Sequence, residues 1–188
     1  VYEINTKEIY YINSVKYPLH YTFAKNVLKY PKSSYSFNAE QYSQNPNRLY
    51  YLAEICHYLS SDVYTIEFFS GDGISCEQIK IMYDKIATTS YIGNKLRLLP
   101  NNFKWENCPN VNKITTDEIY AGQNYQSLNE GECYGYLKKI IVEDVGKVYL
   151  GHHDIPLING IPLDISVVSG IITTQFQAPL SHINVLSH

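Results

Sequence analysis

The stretch that decides the fold runs from Ile171 to His188 and reads Ile-Ile-Thr-Thr-Gln-Phe-Gln-Ala-Pro-Leu-Ser-His-Ile-Asn-Val-Leu-Ser-His. Apolar and β-branched residues from Ile165 to Thr174 predict a buried strand that leads into it. Pro179 interrupts this pattern, and Ser181 is expected to begin a helix. A strand, a short turn and a helix in this order would place His182 in the first turn of the helix.

The first turn of a helix suits an anion, because its backbone N–H groups have no partner inside the helix and the helix dipole adds partial positive charge. A neutral imidazole there can accept a phosphoryl group and keep it. Histidine fits this task because its ordinary pKa, about 6.5, leaves it mostly unprotonated and nucleophilic near neutral pH. His182 is therefore the candidate phosphoryl acceptor.

The motif Leu180-Ser181-His182-x-x-Val185 resembles the phosphohistidine signature of the swivelling domain in the phosphoenolpyruvate synthase and pyruvate phosphate dikinase family. The Leu-Ser-His form is also similar to the glucan water dikinases. The resemblance makes His182 the phosphorylated histidine, Ser181 the hydroxyl beside it and Val185 the apolar helix position.

Several positions depart from the family signature. Gln177 and Ala178 stand where the family has two glycines, Leu180 replaces a threonine, and His188 occupies the usual arginine position. Losing the glycines removes backbone freedom near the phosphate, and losing the threonine removes a hydrogen-bond donor.

A second landmark of the family precedes the motif. Swivelling domains open with a small-residue turn and a strand carrying Gly-x-x-x-Gly, which Gly131 and Gly135 resemble. We therefore expect an α/β (or α+β) chain of two modules. Residues 1–115 would form a mixed-sheet α+β module of unknown role, similar to a region found ahead of this domain in uncharacterised bacterial relatives. Residues 116–188 would form a partial swivelling β/β/α phosphohistidine domain.

The resemblance implies that the chain is an N-terminal fragment of a phosphotransferase and is inactive alone. His182 would relay a phosphoryl group between an ATP-binding domain and an acceptor site, both on the same polypeptide, with ATP and Mg²⁺ bound outside this chain. The acceptor stays open between pyruvate, water, a glucan and other compounds. The alternative is a non-catalytic binding or interaction module that keeps the swivelling fold, which the missing glycines and threonine favour.

Composition excludes other classes of function. A net charge of −3 gives no electrostatic footprint for nucleic acid, and no apolar run is long enough for a membrane span. The 45% of hydrophobic residues is enough for a core. The compartment stays open, with the cytoplasm favoured.

The remaining reactive side chains point to no further site. The four cysteines, which lack Cys-x-x-Cys spacing, are expected to be buried thiols, and no metal site is predicted. His152 and His153 would point to opposite faces of a strand. Asp154 and Asp164 are the carboxylates that could orient the imidazole of His182.

Three local patterns in the N-terminal module predict definite elements. Apolar spacing from Leu19 to Leu28 indicates a helix. Residues 48–58 and 63–69 predict two antiparallel strands joined by a short turn. Gly71-Asp72-Gly73 predicts a turn and not a phosphate-binding loop, since no Gly-Lys-Ser/Thr follows. Ser75 with Gln78 then predicts a capping box that opens a helix.

Overall fold

The computed structural model of the chain describes residues 1–162 and 164–177. The chain divides into two compact units, Val1–Thr115 (unit 1) and Thr116–His188 (unit 2). The described residues contain both helices and sheets, with strands paired in parallel and antiparallel fashion. The expected α/β (or α+β) class is therefore confirmed.

Unit 1 contains three helices and five strands in the described residues. The strands are β1 (Tyr2–Glu3), β2 (Tyr50–Tyr51), β3 (Glu54–Tyr58), β4 (Val63–Glu67) and β5 (Leu96–Leu98). The helices are α1 (His20–Asn26), α2 (Ser34–Gln41) and α3 (Cys76–Thr89), with short 3-10 turns at Gly93–Lys95 and Phe103–Trp105.

The main sheet of unit 1 has the order β3-β4-β5. Strands β3 and β4 are antiparallel, as the sequence predicted, and β5 runs parallel to β4. The predicted strand over residues 48–58 is wrong in one respect: it is split, because β2 pairs with β1 in a separate two-stranded sheet. The chain therefore changes sheets between Tyr51 and Glu54.

Helix α3 covers one face of this sheet. Its capping box is confirmed: the Ser75 hydroxyl accepts from the Gln78 N–H, and the Gln78 side chain accepts from the Ser75 N–H. Its apolar side is buried in one core with sheet residues, formed by Ile79, Met82, Tyr83 and Ile86 from the helix and Ile66, Leu96 and Leu98 from the sheet. Alternate sheet residues point the opposite way, which leaves a second, polar face.

A second core in unit 1 consists largely of aromatic rings. Phe37 on α2 is fully buried and makes edge contacts with Tyr21 and Tyr30, with ring centroids 5.6 and 5.2 Å apart. Tyr50 of β2 packs against the same ring. Part of the unusual tyrosine content of the chain therefore serves packing.

The cysteines differ from the expectation of buried thiols. Cys76, at the start of α3, forms a disulfide with Cys108, 32 residues further on. Cys133 is exposed, and only Cys56 remains as a partly buried free thiol. No spacing pattern indicates this disulfide, because the two bonded cysteines meet through the tertiary fold.

Unit 2 contains a short helix and a parallel sheet. Helix α4 (Thr116–Ile119) is followed by Gly122, whose positive φ of 84° fits a glycine at a helix end. Strands β6 (Tyr136–Ile140), β7 (Asp154–Ile158) and β8 (Ile172–Thr173) form a sheet in that order, all parallel.

The predicted strand from Ile165 to Thr174 is wrong over most of its length. Only Ile172 and Thr173 pair with β7, and Val167 is exposed. Upstream, the chain is held by Ser169, whose N–H and hydroxyl donate to the carbonyls of Asp154 and His152. The apolar run favours a strand, but hydrogen-bonded pairing with β7 begins only after Gly170.

Among residues 1–162 and 164–177, no helix has the length and apolar character required to cross a bilayer.

Candidate functional site

The predicted site residues Ser181 and His182 lie outside the described residues, as does the helix expected to carry them. The structure does describe the segment that approaches them. Strand β8 ends at Thr173, and the Thr174 N–H donates to the carbonyl of Ile158, which extends the pairing by one residue. The segment that leads to the predicted motif therefore begins at the carboxyl end of β8 in a parallel sheet.

A reciprocal pair of hydrogen bonds anchors this approach at Gln177. The side chain of Gln126 donates to the Gln177 carbonyl at 2.8 Å and accepts from the Gln177 N–H at 2.9 Å. Gln177 is itself buried, and its side-chain amide donates to the Thr173 hydroxyl at 3.0 Å. Gln177, which stands where the signature it resembles has a glycine, thus fixes the backbone at the end of the described residues.

An aromatic contact supports the same segment. The rings of Tyr120 and Phe176 stack with centroids 5.1 Å apart and planes inclined by 26°. Tyr120 follows α4, so the start of unit 2 packs against the residues that precede the motif. Two side chains from the region 116–126 therefore hold the end of β8 in place.

Asp154 and Asp164, the carboxylates considered for orienting His182, have other partners in the structure. Asp154 is buried and accepts from the Gly151 N–H at 2.7 Å and from the Lys138 ammonium at 2.8 Å. These two donors, the Gly151 N–H first, hold its pKa below the ordinary value. Asp154 lies at the start of β7, whereas the chain continues towards His182 from the carboxyl end of β8, which is at the other end of these parallel strands. Asp164 is exposed and accepts from the Ile165 N–H.

A shallow cavity of about 580 Å³ lies among the loops that follow β6 and β7. In parallel sheets, ligands bind beyond the carboxyl ends of the strands, where these loops lie. Its lining includes apolar side chains such as Val142 and Leu150 and the carboxylates of Glu143 and Asp164. Two carboxylates would repel a phosphoryl group, so this cavity does not suit phosphate.

No family model, curated protein or solved structure matches the chain. Among the described residues, no group of three or more His, Cys, Asp and Glu side chains is arranged to hold a metal ion.

The Gly71-Asp72-Gly73 turn holds a buried ion pair that sequence reasoning missed. Arg48 donates to both carboxylate oxygens of Asp72, at 2.7 and 3.0 Å, and both side chains are buried. Asp72 also accepts from the Ile74 N–H, yet burial raises its pKa above the ordinary value despite the favourable effect of Arg48. A buried anion fills this turn, so it does not fit the phosphates of ATP.

A second polar group that the sequence did not reveal lies on the face of the β3-β4-β5 sheet opposite α3. It comprises Glu54, Cys56 and Tyr58 of β3 with Thr65 and Glu67 of β4, and we call it the acidic cluster. The only sequence signal for it is the spacing of two residues along each strand, which places alternate side chains on one face. Burial raises the pKa of the Cys56 thiol, so this sulfur stays protonated.

Proposed function

We propose that this chain is the phosphohistidine-carrying part of a phosphotransferase of the phosphoenolpyruvate synthase and pyruvate phosphate dikinase type. In this proposal, His182 relays a phosphoryl group between an ATP-binding domain and an acceptor site on other domains of the same polypeptide. The observation that carries it is the order of elements before the motif. Strand β8 of a parallel sheet ends at Thr173, Gln177 is anchored by Gln126, and in the sequence Leu180-Ser181-His182 follows after two intervening residues.

The chemistry needs one reactive nitrogen. The lone pair of the unprotonated His182 imidazole forms a P–N bond as the P–O bond to the departing part of the donor breaks. In the second transfer, an oxygen of the acceptor takes the phosphorus and the P–N bond breaks. A fixed backbone before His182 favours both transfers, because correct orientation of the reacting groups lowers their entropic cost. Gln126 and Tyr120 serve as positioning residues in this scheme.

The test is direct phosphorylation of the chain by phosphoramidate, a small phosphoryl donor. Intact mass and phosphorus NMR should reveal one acid-labile phosphoryl group, absent from His182→Ala and retained in His152→Ala, which removes an exposed histidine elsewhere. An adduct that persists in His182→Ala would overturn the proposal, as would its absence both in this chain and in the longer protein that contains it.

A specific observation favours a second candidate function, the interaction module that keeps the fold without the chemistry. Strand β6 is an edge strand of its sheet in the described residues, and successive side chains on it are exposed: Tyr136 by 75% and Leu137 by 64%. Successive strand residues face opposite sides, so β6 presents apolar surface on both. In the complete protein, His182→Ala would leave the activity of an interaction module intact and would abolish phosphoryl transfer by a carrier.

A further inference from the structure

Two carboxylates face each other across the hairpin of unit 1. Glu54 on β3 is the register partner of Glu67 on β4, and both side chains belong to the acidic cluster. Like charges directly opposite each other in an antiparallel pair destabilise it. Keeping both residues ionised therefore requires a compensating positive charge.

Glu67 carries an unused hydrogen-bonding atom in a fully buried position. Its relative exposure is 0%, and its Oε1 atom accepts from the Thr65 hydroxyl at 2.6 Å and from the Tyr58 hydroxyl at 3.0 Å. Its Oε2 atom accepts no hydrogen bond of ordinary geometry among the described residues, although the Cys56 thiol lies close enough to interact with the Glu67 carboxylate. A buried carboxylate oxygen without a partner is costly, because it has lost its water and gained nothing in exchange.

The cationic side chains of the protein do not neutralise this pair. All 15 Lys and Arg residues lie in the described part of the chain, and the ion pairs found there leave out both Glu54 and Glu67. Arg97 of β5 shares the polar face as the partner of Thr65, but its guanidinium donates to the carbonyls of Asn94 and Leu96. The Lys and Arg side chains therefore leave the two carboxylates without a counter-charge.

We propose that Glu54 and Glu67 bind one hard divalent cation, such as Mg²⁺ or Ca²⁺, between the exposed Glu54 carboxylate and the free Oε2 of Glu67. Hard cations prefer carboxylate oxygens, and Mg²⁺ commonly uses one or two carboxylates and keeps several waters. Such a site has two protein ligands and is completed by water. It therefore differs from a closed metal site, which takes three or more protein ligands.

Glu54 provides the route by which an ion reaches this position. Its side chain is exposed, so a hydrated ion can bind there first and then meet the buried Oε2 of Glu67. Such an ion cancels the repulsion between the two carboxylates and satisfies the unpaired oxygen at once. It lies in unit 1 and is independent of the proposed chemistry at His182.

The experiment is a titration of the purified chain with MgCl₂ and with CaCl₂, followed by calorimetry and by the thermal unfolding midpoint. NaCl at matched ionic strength serves as the salt control. We expect saturable binding of one ion and a rise in the unfolding midpoint. Binding should weaken at least tenfold in Glu54→Gln, which alters an exposed residue and should fold, and should be lost in Glu67→Gln. Glu106→Gln, at another exposed glutamate, should bind as the wild type does.

Two results would overturn the proposal. One is an equal effect of Mg²⁺ or Ca²⁺ on the wild type, Glu54→Gln and Glu106→Gln, which indicates non-specific binding. The other is no effect of either ion on the wild type. If the stability of the wild type then rises from about pH 7 to pH 5 while that of Glu54→Gln does not, a shared proton, and not a metal ion, neutralises the two carboxylates.

Discussion

Arg48 and Asp72, 24 residues apart in sequence, form a two-point ion pair in the interior of unit 1, with nitrogen to oxygen distances of 2.7 and 3.0 Å. Arg48 also donates through Nε to the carbonyl of Tyr50, and Asp72 accepts from the Ile74 N–H. The pair therefore connects β2 to the turn that precedes α3. Both side chains are buried, so each depends on the other to offset its lost hydration.

Asp72→Asn should lower the free energy of unfolding by about 3–5 kcal/mol, because it leaves the buried Arg48 without a counter-charge. Urea unfolding of the purified variant measures this loss. The double variant Arg48→Met with Asp72→Asn removes both charges and should recover part of the stability. If Arg48→Met lowers the stability of Asp72→Asn by as much as it lowers that of the wild type, the two residues do not act as a pair.

The disulfide between Cys76 and Cys108 gives a second prediction. It closes a loop with a sequence separation of 32 residues, for which chain entropy predicts about 3–4 kcal/mol of stabilisation. Reduction, or the double variant Cys76→Ser with Cys108→Ser, should lower the free energy of unfolding by this amount in a urea titration. Cys133→Ser, which removes an exposed free thiol, is the control and should leave stability unchanged. Equal stability of the oxidised and reduced wild type would contradict the prediction.

This disulfide also bears on the compartment. Disulfides persist in oxidising compartments and are rare in the cytosol. In the cytosol the bond between Cys76 and Cys108 would be exposed to reduction, and the stabilisation that it provides would then be lost.

The elements that the sequence predicted well are those specified by neighbouring residues. Helix α3 has its start set by Ser75 and Gln78 and its buried side set by residues three and four apart, all visible within one short stretch. The β3-β4 hairpin is equally local. The motif that resembles a phosphohistidine signature is local too, and the assignment of Ser181 and His182 stays a prediction because both lie outside the described residues.

The features that the sequence missed depend on residues far apart in the chain. Nothing near Asp72 indicates Arg48, and nothing near Cys76 indicates Cys108, since each pair forms only after the strands and α3 have packed. The strand predicted from Ile165 failed for a related reason. Its apolar residues fit a strand, but pairing partners in β7 decide where the ladder exists, and they reach only Ile172 and Thr173.

His20 provides a prediction on pH dependence. Its Nδ1 lies 2.8 Å from the Tyr42 hydroxyl, and burial lowers its pKa from 6.5 to about 4. The unfolded chain therefore binds more protons than the folded chain between these two pH values. Protonation of His20 should cost no stability above about pH 6.5. As the pH drops towards 4, it should lower the free energy of unfolding by roughly 2–3 kcal/mol.

The measurement is the free energy of unfolding across this pH range in the wild type and in His20→Gln, whose amide cannot titrate. The variant should lose this part of the pH dependence. His152→Gln, at an exposed histidine, should keep the wild-type profile. Identical profiles for all three proteins would show that His20 does not couple protonation to folding.

Gly135 is predicted to be essential for the sheet of unit 2, whereas Gly131 is not. A Cβ atom at Gly135 would lie 2.4 Å from the carbonyl oxygen of His153 and 3.0 Å from a side-chain carbon of Ile155. That carbonyl accepts from the Tyr136 N–H at 2.7 Å, so it cannot move away without breaking the first hydrogen bond between β6 and β7. Gly135→Ala should therefore destabilise unit 2 by about 1–3 kcal/mol.

Gly131→Ala is the matched control, because no atom lies within 4 Å of the position that its methyl group would take and the change only stiffens the unfolded chain. Hydrogen exchange of the β6 and β7 amides in the full chain measures the effect on this sheet. Exchange should accelerate in Gly135→Ala and stay at the wild-type rate in Gly131→Ala. Because β8 pairs with β7, the same loss should reach Thr174, whose N–H bonds to Ile158, and thus the approach to Ser181 and His182. Unchanged protection in Gly135→Ala would mean that the two strands can shift to accept a methyl group.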